Sequence, residues 1–175
     1  LLNLDTEDDD ELSIGCAGGI DTNTSYTCKS IVTPKDYSFL QIDIKGLVGG
    51  HSGMDIDSGR GNANKWMARI LWNISKKSSL MIGSFDGGGL RNAIPREAKS
   101  IFAVPTENLK NVQLEFEQQS QVLSTEYNSI EPNILITLSA TQNMRDVVSE
   151  NDTNKILNTL CCVHNGVFRM SPDIE

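Results

Sequence analysis

The periodicity of apolar residues predicts an α+β fold: a ferredoxin-like sandwich, with an antiparallel four-stranded sheet, two helices on one face and an extra C-terminal helix. Three observations lead there. Apolar residues alternate in several short segments, recur at helical spacing in two longer ones, and between residues 37 and 140 the order is strand, helix, strand, strand, helix, strand.

The elements follow in chain order. Residues 1–33 are short apolar pieces broken by Gly18-Gly19 and polar clusters; Leu1 to Leu4 reads as a strand, and Thr33-Pro34 marks a break. Phe39, Ile42, Ile44 and Leu47 come close to alternating with Gln41, Asp43 and Lys45, which predicts a half-buried strand over 37–48. Gly49-Gly50-His51-Ser52-Gly53 ends it. Trp66, Met67, Ile70, Leu71 and Ile74 then predict an amphipathic helix over 62–75. Leu80 to Phe85 returns to strand, Gly87-Gly88-Gly89 interrupts, and Ala98 to Val104 is a further strand. Thr106 suits the N-cap of a second helix, whose stripe of Leu109, Val112, Phe116, Leu123 and Tyr127 runs to about residue 129. Pro132 stops it. Ile134, Ile136 and Leu138 alternate as a last strand. Met144, Val147, Val148, Ile156, Leu157 and Leu160 suggest another helix over 141–162, and Gly166 to Met170 the start of a strand.

Composition limits the partners. The net charge of -8 is local: six acids crowd between Asp5 and Glu11, leaving 17 acids against 15 bases elsewhere. No basic patch is interleaved with aromatics, so nucleic-acid binding is not expected. No run of about 18 apolar residues exists to span a membrane. Cys16, Cys28, Cys161 and Cys162 form neither a CxxC pair nor a zinc-finger spacing. They read as free buried thiols in a reducing compartment, the cytoplasm.

Three segments could carry chemistry. Asp5 stands at a strand end, where a carboxylate is well held to bind a cation, although a solvated acidic loop also fits. Glycines on both sides of His51 let the backbone turn sharply and leave the imidazole projecting as a donor, or make only a tight turn. Gly87 to Pro95 lacks the Lys-Ser/Thr ending of a phosphate loop and by itself fits a hairpin connection. His164 looks isolated and structural. Trp66 and Trp72 fit packing better than ligand binding.

Taken together, Asn3-Leu4-Asp5-Thr6-Glu7, Ile14 to Gly19, Lys45 to Gly53, Gly61-Asn62-Ala63-Asn64-Lys65 and Leu90 to Ala98 occur in the order and at the spacing of aminoacyl-histidine (Xaa-His) dipeptidases. The chain resembles that family of co-catalytic zinc peptidases closely over residues 1–105 and in outline beyond. The resemblance implies a cytosolic hydrolase of Xaa-His dipeptides. In it a catalytic domain binds two zinc ions, and an inserted ferredoxin-like lid closes over the substrate and builds a homodimer. Residues 1–33 would be the end of the catalytic domain and a connection, and 34–175 the lid, incomplete at its C-terminal end. Asp5 matches a zinc ligand, His51 the lid histidine that hydrogen-bonds the tetrahedral oxyanion, and Asn92 the asparagine that contacts substrate. The family's His-x-Asp motif, Glu-Glu pair and last zinc-binding His have no counterpart here. The chain alone is therefore expected to be inactive, with no stably bound zinc. Asp8-Asp9-Asp10 and Asp57 depart from the family's pattern. A non-catalytic interaction module and a deacylase or carboxypeptidase of the same group are the alternatives.

Overall fold

The computed structural model describes residues 18–142, 144–170 and 172. Its strands are β1 (Ser30–Val32), β2 (Tyr37–Lys45), β3 (Gly50–His51), β4 (Met81–Gly87), β5 (Ala93–Ile94), β6 (Ala98–Pro105), β7 (Leu135–Ala140) and β8 (Asp146–Val148). The helices are α1 (Ala63–Ser75), α2 (Leu109–Glu126) and α3 (Glu150–Cys162).

β4, β6, β2 and β7 form, in that order, a four-stranded sheet whose pairs are all antiparallel. This is the ferredoxin-like order that the sequence predicts. The pleat explains the burial. Leu40, Ile42 and Ile44 alternate onto one face and join Phe102 and Val104 of β6 beneath Trp66, Met67, Ile70, Leu71 and Ile74 of α1 and Val112, Phe116 and Leu123 of α2. Burying each large aliphatic side chain in that layer contributes about 1.5–3 kcal/mol.

Phe39, which breaks the alternation of β2, points to the opposite face. There it meets Met81, Ala103 and Val147, with Ile31 packed alongside. Val147 and Ile31 come from the antiparallel pair β1–β8, which covers that end of the sheet. The region from 141 to 162 is therefore not one helix: residues 146–148 pair as a strand, and only α3 is helical. Short β-branched Val147-Val148 satisfies either period, and the partner strand decides. Ser149 caps α3 by accepting from the Asp152 N–H. Thr153 then covers the β4 edge, its Oγ1 accepting from the Ile82 N–H at 3.1 Å.

Three smaller expectations change. Residues 166–170 form no strand. Thr106 opens a 3-10 turn, Thr106–Asn108, and donates its hydroxyl to the Asp36 carbonyl instead of capping α2. Cys161 and Cys162 are exposed and Cys28 half-buried, all three as free thiols. Trp66 is core, against Tyr127 at 4.6 Å between ring centroids, and Trp72 donates its indole N–H to Asn158. His164 is exposed and lies edge-on to Phe168.

Asp152 joins the N-terminal connection to α3. It accepts from the Lys29 N–H at 2.7 Å, the Tyr26 hydroxyl at 2.8 Å and the Lys155 ammonium at 3.3 Å. The Lys29 backbone bond, with Tyr26 and then Lys155 adding to it, lowers the Asp152 pKa from 3.8 to about 2. A depressed carboxylate stabilises the fold above its unfolded pKa and loses that contribution as pH falls through the folded value. Urea midpoints of the native chain should therefore drop between pH 3.8 and about 2 more steeply than those of Asp152→Asn. Equal slopes in that window would remove Asp152 as the acid-sensitive tie.

Candidate functional site

β2 runs out at Lys45, and Gly46, with φ +81, turns the chain away from the sheet. The segment that follows, 48–61, carries His51. It is built on three ties. At its tip His51 donates its backbone N–H to Asp55 Oδ2 at 2.7 Å, and its carbonyl accepts from the Asp55 N–H. Arg60 pairs with Asp55 at 2.9 Å and donates to the Gly49 carbonyl at 2.7 Å. At its base Glu131 accepts from the Val48 N–H at 2.7 Å and the Gly61 N–H at 2.8 Å. Gly50 has φ +144, and a Cβ there would lie 2.6 Å from Asp55 Oδ2 and closer still to Arg60 Nη1. Only glycine fits.

The His51 ring is oriented by its own backbone. Nδ1 accepts from the N–H groups of Gly53 at 3.1 Å and Met54 at 3.2 Å. A nitrogen that accepts carries no proton, so the proton sits on Nε2. His51 itself is exposed, which presents Nε2–H as a fixed donor at the surface.

β3 and β5 bring the second expected residue beside the first. His51 pairs with Ala93 and Gly50 with Ile94, and the Ser52 N–H donates to the Asn92 carbonyl at 2.9 Å. Asn92 is exposed at the turn before β5. Residues Gly88, Leu90 and Ala93 to Glu97 line a shallow hollow of about 230 Å³ at this loop. Arg91, its neighbour, pairs with Asp21 on the open surface, where an ion pair adds little.

Both loops are pinned to the N-terminus of α1, which explains the Gly61 to Lys65 motif. Gly61 has no room for a side chain beneath Trp66 and Leu47. Asn62 caps the helix by accepting from the Asn64 and Lys65 N–H groups. The Ala63 N–H donates to the Pro95 carbonyl at 3.0 Å, and Asn64 lies against Gly87. From the other side Arg96 donates Nε to the Leu47 carbonyl at 3.1 Å.

The third expected residue, Asp5, lies outside the described residues. Among the described residues no group of three or more His, Cys, Asp or Glu side chains converges to hold a metal ion. A zinc site takes three or four protein ligands, so these residues do not fit one. Asp55, Arg60 and Glu131 escaped the sequence reading. No spacing rule connects residue 131 to 48 and 61, and an acid beside Ile130 and Pro132 looks like an ordinary helix end.

Comparison with known proteins shows the family. Residues 42–131 match the family model described as the peptidase dimerisation domain. The cytosol non-specific dipeptidase of Escherichia coli is 33% identical over 171 residues, 98% of this chain and 35% of that protein. The crystal structure of aminoacylhistidine dipeptidase from Vibrio alginolyticus superposes with a TM-score of 0.82 at 37% identity, covering 86% of this chain and 31% of that one. The chain thus spans about a third of the length of these relatives.

Gly50→Ala should break the Arg60–Asp55 clip and cost about 1–3 kcal/mol, the usual scale of local backbone strain. Urea denaturation measures the cost, and ring ¹⁵N shifts report whether His51 keeps its proton on Nε2. An alanine variant of native stability and native ring shifts would mean that the glycine is dispensable.

Proposed function

The chain belongs to the peptidase dimerisation domain family, and from that premise we propose that it is the lid and dimer-forming part of a zinc-dependent cytosolic dipeptidase that hydrolyses Xaa-His dipeptides. The observation that carries the reading is the pairing of β3 with β5. It sets an exposed, oriented imidazole next to the Asn92 turn on the outside of the domain, where a substrate held by another domain can meet both.

In this reading residues 34–175 form the lid and residues 1–33 the end of the catalytic domain with its connection. His51 acts through Nε2–H. As water attacks a peptide carbonyl, negative charge develops on the carbonyl oxygen, and a donor already aimed there stabilises that charge without reorganising. One such donor is worth about 2.7–4 kcal/mol. Asn92 holds the substrate near the scissile bond. Two zinc ions would be bound mainly by the catalytic domain, with Asp5 as one ligand, and this chain alone is expected to retain none.

Dimer formation is supported by the sheet edge. Among the described residues β7 pairs with β2 on one side only, and Leu135 on it is 56% exposed. An open strand edge is a ready template for a second copy. No helix is long and apolar enough to cross a membrane among the described residues. The Escherichia coli relative is by name a cytosol enzyme, in keeping with a cytosolic setting.

In the whole enzyme, His51→Ala should lower kcat about 100- to 1000-fold while metal content stays unchanged. Steady-state kinetics on Xaa-His dipeptides, with metal analysis on the same samples, makes the measurement. A variant of normal kcat would take His51 out of the mechanism, and a wild-type enzyme inert to Xaa-His but active on acylated amino acids would move the substrate class.

A further inference from the structure

We propose that Glu131 is the positioning residue for His51, a role that rests on the reading of His51 given above. Glu131 is 1% exposed. Its two carboxylate oxygens take one backbone N–H each, from Val48 at 2.7 Å and Gly61 at 2.8 Å. These amides are the two ends of the segment that contains His51, Asp55 and Arg60. One carboxylate therefore closes the neck of the loop whose tip carries the imidazole.

The carboxylate is itself anchored. The Glu131 N–H donates to the Tyr127 carbonyl at 2.8 Å, just beyond α2, and the Tyr127 ring packs at a tilt against Trp66 of the core. One carboxylate thus refers both ends of the loop to the helical layer. No ion pair among the described residues includes Glu131. Burying a carboxylate without a cation is expensive, and an apolar side chain would fill the same space at lower cost. What an apolar side chain cannot do is fix two amides at once. A neutral Gln could accept from one amide only and would turn its NH₂ toward the other. A shorter Asp would not span both.

The loop has little else to hold its base. Leu47 is buried and its carbonyl accepts from Arg96 Nε, but Val48 is 48% exposed; the Arg60–Asp55 clip lies within the loop, and the tip meets the rest of the domain through the two-residue β3–β5 pairing. Loss of the Glu131 bridge would leave the tip held through the short β3–β5 pairing, on which it can shift with its internal bonds intact. A displacement of about 1 Å in a group that must meet a reacting atom can cost about 100-fold in rate.

The test has two arms. Amide hydrogen exchange on this chain should find Val48 and Gly61 protected as strongly as the central amides of β2. In E131Q that protection should vanish and the His51 ring resonances should move, while β6 amides keep theirs. In the whole enzyme, E131Q should lower kcat roughly tenfold to a hundredfold with KM little changed. Combined with His51→Ala, it should cost nothing further, because a positioning residue has nothing left to position. Unprotected Val48 and Gly61 amides in the native chain would overturn the proposal even if E131Q did not fold. So would unmoved ring resonances, or a double variant whose losses multiply. If E131Q moves the ring but His51→Ala keeps full activity, the positioning stands and the catalytic reading of His51 falls.

Discussion

Burial of Leu40, Ile42 and Ile44 of β2 against α1 is the contact on which the rest of the molecule depends. It fixes where the N-terminus of α1 lies above the end of the sheet. Gly61, Ala63 and Asn64 at that terminus hold both exposed loops, one through Glu131 and the other through Pro95 and Gly87. The helix is therefore both the roof of the core and the base plate of the site. A shift of α1 along its axis would move His51 and Asn92 together, which is a reason for the dense packing of Trp66, Met67 and Ile70 beneath it.

The site is made by backbone more than by side chains. The Gly53 and Met54 amides choose the tautomer of His51, and the β3–β5 ladder sets its distance from the Asn92 turn. Glycine at 49 and 50 permits positive φ values of 69° and 144°, and at 50 it also leaves space for the Asp55–Arg60 clip. Such a construction suits the role proposed for His51, a group that reaches out of its own domain. A side chain presented from a rigid turn loses little freedom when it meets its target, and so keeps its full electrostatic effect.

The two faces of the sheet serve different ends. The helical layer supplies the core, whereas the β1–β8 pair shields Phe39 and Met81 on the reverse side and leads the N-terminal connection in beside α3. Of the two sheet edges, Thr153 covers β4, while β7 stays open among the described residues. In the proposed dimer that asymmetry has a physical sense, since one edge is closed by the chain and the other is open to a second copy.

Hydropathy period settled the fold. The alternation from Phe39 to Lys45 and the stripe from Trp66 to Ile74 each bury one face, and a change of period by one residue would expose it, so β2, α1, β4, β6, α2 and β7 were legible in order. The turns that carry His51 and Asn92 were legible as well, because glycines beside His51 and the run before Asn92 mark turns whatever surrounds them. Their proximity was not, since β3 and β5 are two residues long and 41 positions separate His51 from Asn92. Val147-Val148 shows the same limit: a short β-branched pair is strand or helix according to its partner, and β1 is the partner. Glu131, Asp55 and Arg60 are the extreme case. A buried carboxylate has no periodicity, and only the folded chain, by bringing residues 48, 61 and 131 to one point, decides that it ties a loop rather than ends a helix.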